Sequence, residues 1–411
     1  MPAPPETRAP HSPRLGPGAR RLLWAMIAVG LFARVVLAFK TYGVVYDIDS
    51  LKAVRAALDT HPLHVYTTVN GHPDNRWPYP PGFFPWVAAA GGLANLTGLA
   101  FHGWIQLPQI AADGAIAWLV QDFLGRRGAG ERVRLVAAGL VALGPSFWII
   151  SGFHGQIDSL AILPCVIALW LWDRSAPGTR RAVAAGLLIG VGASIKSVPI
   201  LMLFALLPSV RSRREALALV APAVAVPLVL LSPWLVADPH GTIHALQSHR
   251  ALPGFGGIGL LAQPAFADQW LHQHPHVLTP LSSFLLHHAT AILAVLMAPF
   301  IALVLVRRVE PVLAAALLWP AVILLNPGFG FQYVVWALPF VLMAGYIREV
   351  AAVQAALLIP AAIIYWHPFG HAPIGVYVPI MLGAWAVATA AVVVLAVRIA
   401  RQEPQRARAA P

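Results

Sequence analysis

The first residues whose types could do chemistry are the two carboxylates of Asp47-Ile48-Asp49-Ser50, which follow the first long apolar run. A carboxylate beside a membrane must stay hydrated or paired, so keeping two of them there costs free energy. Within hydrogen-bond reach of a hydroxyl, a carboxylate can act as a general base. We expect Asp47 to be that base. Asp49 is expected to be either a second catalytic carboxylate or the cap of a helix that starts at Ser50.

A second polar group lies in the turn between two later apolar runs. This turn carries His154, Gln156 and Asp158 within five residues. Such side chains can bind the hydroxyls of an acceptor or support the base. The alternative interpretation is a solvated turn in which Asp158 caps the following helix.

Two cations lie where a phosphate could bind. Lys196 follows an apolar run, and Arg250 lies in a long loop. A cation there can hold a phosphate and stabilise the negative charge that develops when the phosphate departs. The alternative for Lys196 is that its side chain extends to the lipid headgroups, as lysines at the ends of membrane spans commonly do.

Aromatic and amide side chains complete the set of possible site residues. Tyr79 lies in a proline-rich segment, residues 77–81, which either lines a groove for a sugar or lipid or simply starts the next helix. Gln332 begins a later apolar run together with Trp336. These two residues either close the site or belong to the aromatic belt of the membrane interface.

The composition is that of a membrane protein. Of the 411 residues 58% are hydrophobic and only 11% are charged, whereas soluble domains are about 25% charged. The 28 Lys and Arg residues outnumber the 16 Asp and Glu, but they occur in short clusters between apolar runs. Such clusters mark cytoplasmic loops, so we expect no nucleic-acid partner. The single cysteine excludes an intramolecular disulfide.

Thirteen apolar runs are long enough for spanning or half-spanning helices. They cover residues 22–39, 82–100, 104–124, 133–151, 157–173, 182–195, 197–210, 216–236, 281–306, 311–326, 331–347, 350–366 and 375–398. If 82–100 lies in the membrane interface and the other twelve cross, the basic clusters face the cytoplasm, as the positive-inside rule requires. We therefore predict an all-α polytopic protein with about twelve transmembrane helices and an interfacial helix. The runs at 182–195 and 197–210 are short, and we expect them to be broken or only partly crossing.

This topology predicts three regions. Residues 1–21 form a disordered cytoplasmic tail, residues 22–398 a single transmembrane domain, and residues 399–411 a second cytoplasmic tail. The transmembrane domain has large outer loops at 40–103, which holds the interfacial helix, and at 237–280. Arg34 and Asp113 fall inside membrane spans, and we expect them to form a salt bridge because a buried charge needs a partner.

The order of these motifs resembles the GT-C superfamily of integral membrane glycosyltransferases over residues 22 to about 345. The resemblance rests on the acidic segment after the first span and on later motifs in the same order: Tyr79-Pro80-Pro81, Asp113, the turn from His154 to Leu160, Lys196 with Pro199, Arg250, and Gln332-Tyr333 with Trp336 and Pro339. Within that superfamily the chain is similar to bacterial glycosyltransferase family 87, which uses polyprenyl-phosphate sugars and includes mannosyltransferases. It is also similar to the eukaryotic dolichyl-phosphate-glucose-dependent transferases, but lacks their His-rich turn near Gln332.

The resemblance implies a GT-C fold in the cell membrane with the active site at the outer face. It implies that Asp47 is the catalytic carboxylate of the first loop, that Asp49 is the second acidic position, and that Lys196 and Arg250 contact the donor phosphate. The expected partners are a polyprenyl-phosphate sugar and a lipid-linked or glycan acceptor of the cell envelope, within membrane lipid. His154, Gln156, Asp158, Tyr79 and Gln332 are expected to bind the acceptor or the sugar.

The expected activity is transfer of a monosaccharide, with mannose as the expected sugar, with inversion and with Asp47 as general base. The spacing of His272, His274 and His276 is not a metal signature, and we expect neither a metal nor another cofactor. The alternative is a transporter or flippase for a polyprenyl-phosphate lipid. Polar residues clustered on one face favour the enzyme, whereas a polar stripe through the bundle favours transport. A non-catalytic subunit of an envelope assembly is a third possibility.

Overall fold

The computed structural model describes residues 14–72, 76–247, 253–271, 277–366 and 374–401, and every regular element in these ranges is a helix. The prediction of an all-α protein is therefore confirmed. Helices occupy all thirteen of the apolar runs. The first helix already begins at Pro17, five residues before the first apolar run.

The N-terminal part consists of one long helix, a group of short helices, and the helix that follows them. These helices are α1 (Pro17–Lys40), α2 (Val45–Thr60), α3 (Val65–Asn70), α4 (Phe84–Thr97), α5 (Phe101–Ile105) and α6 (Leu107–Arg126). The short helices α2 to α5 form the segment predicted as the first outer loop. Helix α4 has 14 residues and is therefore about 21 Å long. This is shorter than the roughly 30 Å hydrocarbon core of a bilayer and fits the predicted interfacial helix.

The middle of the chain contains the helices that carry the second polar group and Lys196. These helices are α7 (Glu131–Ala142), α8 (Pro145–Phe147), α9 (Asp158–Arg174), α10 (Thr179–Ile195), α11 (Met202–Leu206) and α12 (Arg213–Ala237). A π-helical stretch, Trp148–His154, follows α8. Short 3₁₀ turns flank α11 on both sides, so the run predicted at 197–210 is broken as expected.

The described residues of the C-terminal part contain nine further helices. They are α13 (Pro239–Gln247), α14 (Gly257–Ala262), α15 (Phe266–Leu271), α16 (Pro280–His287), α17 (Ala289–Arg307), α18 (Pro311–Leu325), α19 (Val334–Met343), α20 (Ile347–Trp366) and α21 (Ile374–Arg401). The 3₁₀ turn Phe331–Tyr333 leads directly into α19.

In the described part of the chain, six helical stretches are long and apolar enough to cross a membrane. They are Pro17–Lys40, Glu131–His154, Arg213–Ala237, Ala289–Arg307, Ile347–Trp366 and Gly375–Arg401. The other predicted spans coincide with shorter or more polar helices. Helices α9 and α10, for example, have 17 residues each, which is about 26 Å. The number of helices that cross the bilayer therefore stays a prediction.

The predicted salt bridge between Arg34 and Asp113 is confirmed. Arg34 Nε lies 3.1 Å from Asp113 Oδ2, and both side chains are fully buried. The guanidinium also donates to the carbonyl oxygens of Val141 and Ala142, at 2.8 and 2.7 Å. These contacts join α1, α6 and the end of α7.

Two hydrophobic cores hold the fold together. The larger one lies within the bundle of long helices. The smaller one joins the short helices α2 to α5 to the ends of α9, α10 and α12. Its buried members include Ile48, Tyr66 and Phe84 from these short helices, packed with Ile157 and Ile195 from the bundle. This second core fixes α2, and with it Asp47, against the bundle.

Candidate active site

Asp47 is held by His154. Helix α2 begins at Val45, so Asp47 lies in its first turn, and Asp47 Oδ2 is 2.7 Å from His154 Nε2. The backbones also meet, because the N–H of Val44 donates to the carbonyl oxygen of His154 at 3.2 Å. The close approach requires a glycine at position 43: its φ is +89°, and the Cβ of any other residue would lie 3.0 Å from the Phe153 carbonyl oxygen. The Asp47 side chain remains 26% exposed, so it can meet a substrate.

The π-helical stretch before Gly155 sets the position of His154. It inserts extra backbone between α8 and α9, and such stretches often occur at functional sites. Gly155 ends it with φ of +87°, and a Cβ there would come within 2.8 Å of Ile48 Cδ1. A glycine is therefore needed for this turn to approach α2.

Tyr365, on α20, contacts the other side of the His154 ring. Its hydroxyl oxygen lies 2.6 Å from His154 Nδ1. The sequence analysis missed Tyr365 because it lies in an apolar helix next to Trp366, where an aromatic residue normally indicates the membrane interface. No local signal in the sequence relates it to a residue 211 positions away.

Lys196 is buried in an ion pair. Its Nζ donates to Asp158 Oδ1 at 2.8 Å and to Gln156 Oε1 at 3.2 Å, and Trp336 Nε1 also donates to Asp158 Oδ1. The ammonium lies 4.8 Å from the centre of the Tyr79 ring. The alternative in which Lys196 extends to the headgroups is therefore wrong: Asp158 offers its charge a partner inside the protein.

The turn between the π-helical stretch and α9 joins two side-chain pairs into one site. His154 binds Asp47, whereas Asp158 binds Lys196. The alternative of a solvated turn is wrong, because His154, Gln156 and Asp158 are all buried. The cap position of α9 belongs to Ile157, so Asp158 does not cap it.

Tyr79 lies near both carboxylates. Burial raises the pKa of the Tyr79 phenol, and the negative charges of Asp158 and Asp47 raise it further. The positive charge of Arg76 acts in the opposite direction. Arg76 is half-buried, and its backbone N–H donates to Ser50 Oγ at 3.1 Å, one helical turn from Asp47. The sequence analysis missed this cation, which lies in a segment otherwise poor in Lys and Arg.

Asp49 points away from this site. It accepts a hydrogen bond from the Tyr42 hydroxyl, lies 3.8 Å from Lys52 Nζ, and is 45% exposed. Two residues apart on a helix, Asp47 and Asp49 project to different sides. The cap position of α2 is occupied by Val44, so the interpretation of Asp49 as a helix cap is wrong.

The segment with Gln332 contributes to the site through its neighbours. Gln332 is half-buried in the turn before α19, and within the described ranges its side chain makes no hydrogen bond. The Tyr333 ring packs on Trp336 with centroids 4.3 Å apart, and Trp336 binds Asp158. This segment therefore reaches the site through Trp336.

Some predicted residues lie outside the described residues, namely Arg250 and the three histidines His272, His274 and His276. Among the residues that are described, no three His, Cys, Asp or Glu side chains come together in a way that could hold a metal ion.

Helix direction explains why these residues meet. Asp47, Asp158 and Trp336 lie at the starts of α2, α9 and α19, whereas Lys196 and Tyr365 lie at the ends of α10 and α20. Helices α9 and α10 are packed against each other and joined by a short connection, so the start of one meets the end of the other. The polar side chains therefore gather at one end of the bundle.

Comparison with known proteins identifies a family of glycosyltransferases. The family model for glycosyltransferase family 87 matches residues 77–327, which is more than half of the chain. The match includes Tyr79, the turn from His154 to Asp158, and Lys196, whereas Asp47 and Tyr365 lie outside it. No curated protein matches the chain. The chain belongs to glycosyltransferase family 87 and is thus a membrane glycosyltransferase.

Proposed function

We propose that this glycosyltransferase moves a monosaccharide, with mannose the expected sugar, from a polyprenyl phosphate to a hydroxyl of a lipid-linked or cell-envelope acceptor. The reaction takes place at the outer face of the membrane. The observation that carries the proposal is Asp47, a partly exposed carboxylate of which one oxygen is held by His154. A base needs both features, because it must be fixed in place and still reach its substrate.

The proposed reaction is a single displacement. Asp47 takes the proton of the acceptor hydroxyl as that oxygen forms its bond to the anomeric carbon. The bond between the anomeric carbon and the phosphate oxygen breaks at the same time, and its electron pair leaves with the lipid phosphate. Attack from the side opposite the leaving group inverts the configuration. The phosphate leaves as a stable anion, so no second carboxylate has to protonate it.

The leaving phosphate needs positive charge. Lys196 has three N–H donors, of which two bind Asp158 and Gln156, and the third remains for a phosphate oxygen. Because Asp158 offsets most of the Lys196 charge, we add Arg76 as a second cation near Tyr79. Within the described ranges, the Arg76 guanidinium forms no hydrogen bond or ion pair with another residue. Arg250 keeps its proposed contact with the phosphate.

Tyr79 is the proposed wall of the sugar site, because its half-buried ring lies beside the Lys196 ammonium and near both carboxylates. Gln332 remains a proposed contact of the sugar or the acceptor, and so does Gln156 through its amide nitrogen, because its oxygen is the atom that binds Lys196. For His154 and Asp158 the proposal changes, because each is already bound to another site residue. They serve to hold Asp47 and Lys196.

The flippase alternative receives less support from the geometry. The polar residues of the site gather at one end of the bundle. The pair of Arg34 and Asp113 is fully buried, and it is joined to the backbone of Val141 and Ala142 as a structural lock would be. The gathering of the site residues at one end of the bundle and the locked buried pair favour an enzyme.

The test is to reconstitute the purified protein in liposomes with synthetic polyprenyl-phosphate mannose and a panel of polyprenyl-linked and glycan acceptors. We expect a mannosylated product whose anomeric configuration, measured by NMR, is opposite to that of the donor. Retention of configuration would contradict the single displacement. Movement of the donor lipid across the bilayer without any transfer would favour the flippase.

A further inference from the structure

We propose that Tyr365 is a positioning residue for the reaction: by binding His154 it fixes the hydrogen bond that His154 donates to Asp47. This inference rests on the proposed function of Asp47 as the base. Three side chains from distant parts of the chain form a continuous line of hydrogen bonds. The distances are 2.6 Å from the Tyr365 hydroxyl to His154 Nδ1 and 2.7 Å from His154 Nε2 to Asp47 Oδ2.

The chemistry of the three groups determines where the protons lie. An ionised carboxylate only accepts hydrogen bonds, so His154 Nε2 must carry a hydrogen. In a neutral imidazole Nδ1 is then an acceptor, and the Tyr365 hydroxyl is the donor that meets it. Tyr365 thereby selects the tautomer in which His154 donates to Asp47. Without the hydroxyl, the ring can move its hydrogen to Nδ1 and lose the bond to the carboxylate.

The surroundings of Tyr365 hold its hydroxyl in place. Its ring packs edge-to-face against Phe153 and Phe331, with centroids 5.9 Å from each, and lies 5.2 Å from the His154 ring. Ionisable groups near this line include Asp158, its partner Lys196, Tyr79 and Tyr377. The first two neutralise each other, and Tyr79 is uncharged at neutral pH because burial raises its pKa.

The line of hydrogen bonds orients the carboxylate of the base, Asp47. With Oδ2 occupied by His154, Asp47 presents Oδ1 to an acceptor hydroxyl. Because His154 is almost fully buried, its side chain cannot find water as an alternative partner for Nδ1. Tyr365 lies beyond the segment that the family model matches, so the C-terminal helix α20 supplies this function in addition to packing.

The first test replaces Tyr365 by Phe, which removes only the hydroxyl. We expect kcat to fall about tenfold, a part of the roughly 10²–10⁴-fold that a general base supplies, with KM for the donor unchanged. The matched control is Tyr377→Phe, which removes a buried hydroxyl that donates to the Phe255 carbonyl oxygen and not to His154. It should leave kcat and KM unchanged.

A double-mutant cycle separates positioning from general packing. If Tyr365 acts through His154, then Tyr365→Phe changes kcat by less than about twofold in a His154→Gln background. If Tyr365→Phe lowers kcat by the same factor in the His154→Gln background as in the wild type, the proposal is overturned. If Tyr365→Phe is too unstable to assay, Tyr365→Gln, which keeps a donor for Nδ1, is compared with Tyr365→Leu at equal folded fraction. A higher kcat for Gln supports the proposal, and equal values contradict it.

The two proposals fail in different ways. An inactive Asp47→Asn variant together with an unchanged kcat in Tyr365→Phe would remove Tyr365 from the reaction and leave Asp47 as the base. Full activity in Asp47→Asn would remove the base itself, and with it the reason for positioning it.

Discussion

Lys196 Nζ and Asp158 Oδ1 lie 2.8 Å apart, and both side chains are almost completely buried. The pair joins the end of α10 to the start of α9, directly below the ring of Tyr79. A buried ion pair of this kind is a weak source of stability, but its geometry fixes the positions of two charges beside the proposed path of the phosphate.

Breaking this pair on one side should destabilise the protein strongly. We expect Asp158→Asn to lower the free energy of unfolding by about 3–5 kcal/mol, because it leaves the Lys196 ammonium buried without a counter-charge. Lys196→Met should have an effect of similar size. The double variant that carries both substitutions should recover much of the lost free energy of unfolding. Thermal unfolding in detergent measures all three, and additive losses would show that the two charges do not depend on each other.

Arg76 should contribute to binding of the donor. We expect Arg76→Gln to raise KM for the polyprenyl-phosphate sugar about tenfold, or about 1.4 kcal/mol, with a smaller change in kcat. Lys40→Gln is the matched control, because Lys40 is an exposed cation at the end of α1. An equal effect of both variants would indicate a general attraction between the surface and the anionic lipid rather than a contact with the phosphate.

Thr67 on α3 contacts Asp238 at the end of α12, and the stability that this contact contributes should depend on pH. Burial favours the neutral form of Asp238, but donation by Thr67 Oγ1 at 2.5 Å and by the Gly241 N–H outweighs it, so the pKa of Asp238 lies below its ordinary value of 3.8. The nearby His64 and His240 lower it further. A depressed pKa stabilises the fold above pH 3.8, and the contribution is lost as the pH falls through the folded value.

Thermal midpoints of the wild type, Asp238→Asn and Thr67→Val test this dependence. At pH 6 the wild type should be the most stable of the three. The difference should shrink steadily below about pH 4, because the unfolded carboxyl then begins to bind its proton. A difference in thermal midpoint between the wild type and the variants that stays constant down to pH 3 would contradict a depressed pKa of Asp238.

The buried pair of Arg34 and Asp113 should be structural. We expect Asp113→Asn to lower the free energy of unfolding by about 3–5 kcal/mol, and Arg34→Met with Asp113→Leu to recover much of it. Per folded molecule, the double variant should transfer sugar at the rate of the wild type. A stable double variant that has lost movement of the lipid, but not transfer, would instead indicate a gating pair.

The sequence predicted the helices well because apolar runs report directly on burial in lipid or in a bundle. It also predicted the pair of Arg34 and Asp113, since a charge inside a span must find a partner and few were present. The count of spans is harder to predict, because α9 and α10 are close to the minimum length for crossing and α11 has only five residues between two 3₁₀ turns.

The sequence indicated several residues that the structure brings together, but not which of them pair. His154 and Asp158 were expected to bind substrate, yet each holds another site residue, because contacts across more than 30 residues depend on how helices pack. The same reason explains Asp49. Its sequence context suits a helix cap, but the contact of Gly43 and Val44 with His154 starts α2 earlier, at Val45.

The central claim is that Asp47 is the base, and the rate of sugar transfer by Asp47→Asn tests it most directly. The substitution keeps the shape of the side chain and removes its ability to take a proton. The matched control is Asp59→Asn, an exposed carboxylate on the same helix that pairs only with Arg55 in the described part of the chain. With saturating donor and acceptor, kcat should fall by about 10²–10⁴-fold in Asp47→Asn and stay unchanged in Asp59→Asn. Wild-type transfer by a correctly folded Asp47→Asn variant would contradict the account.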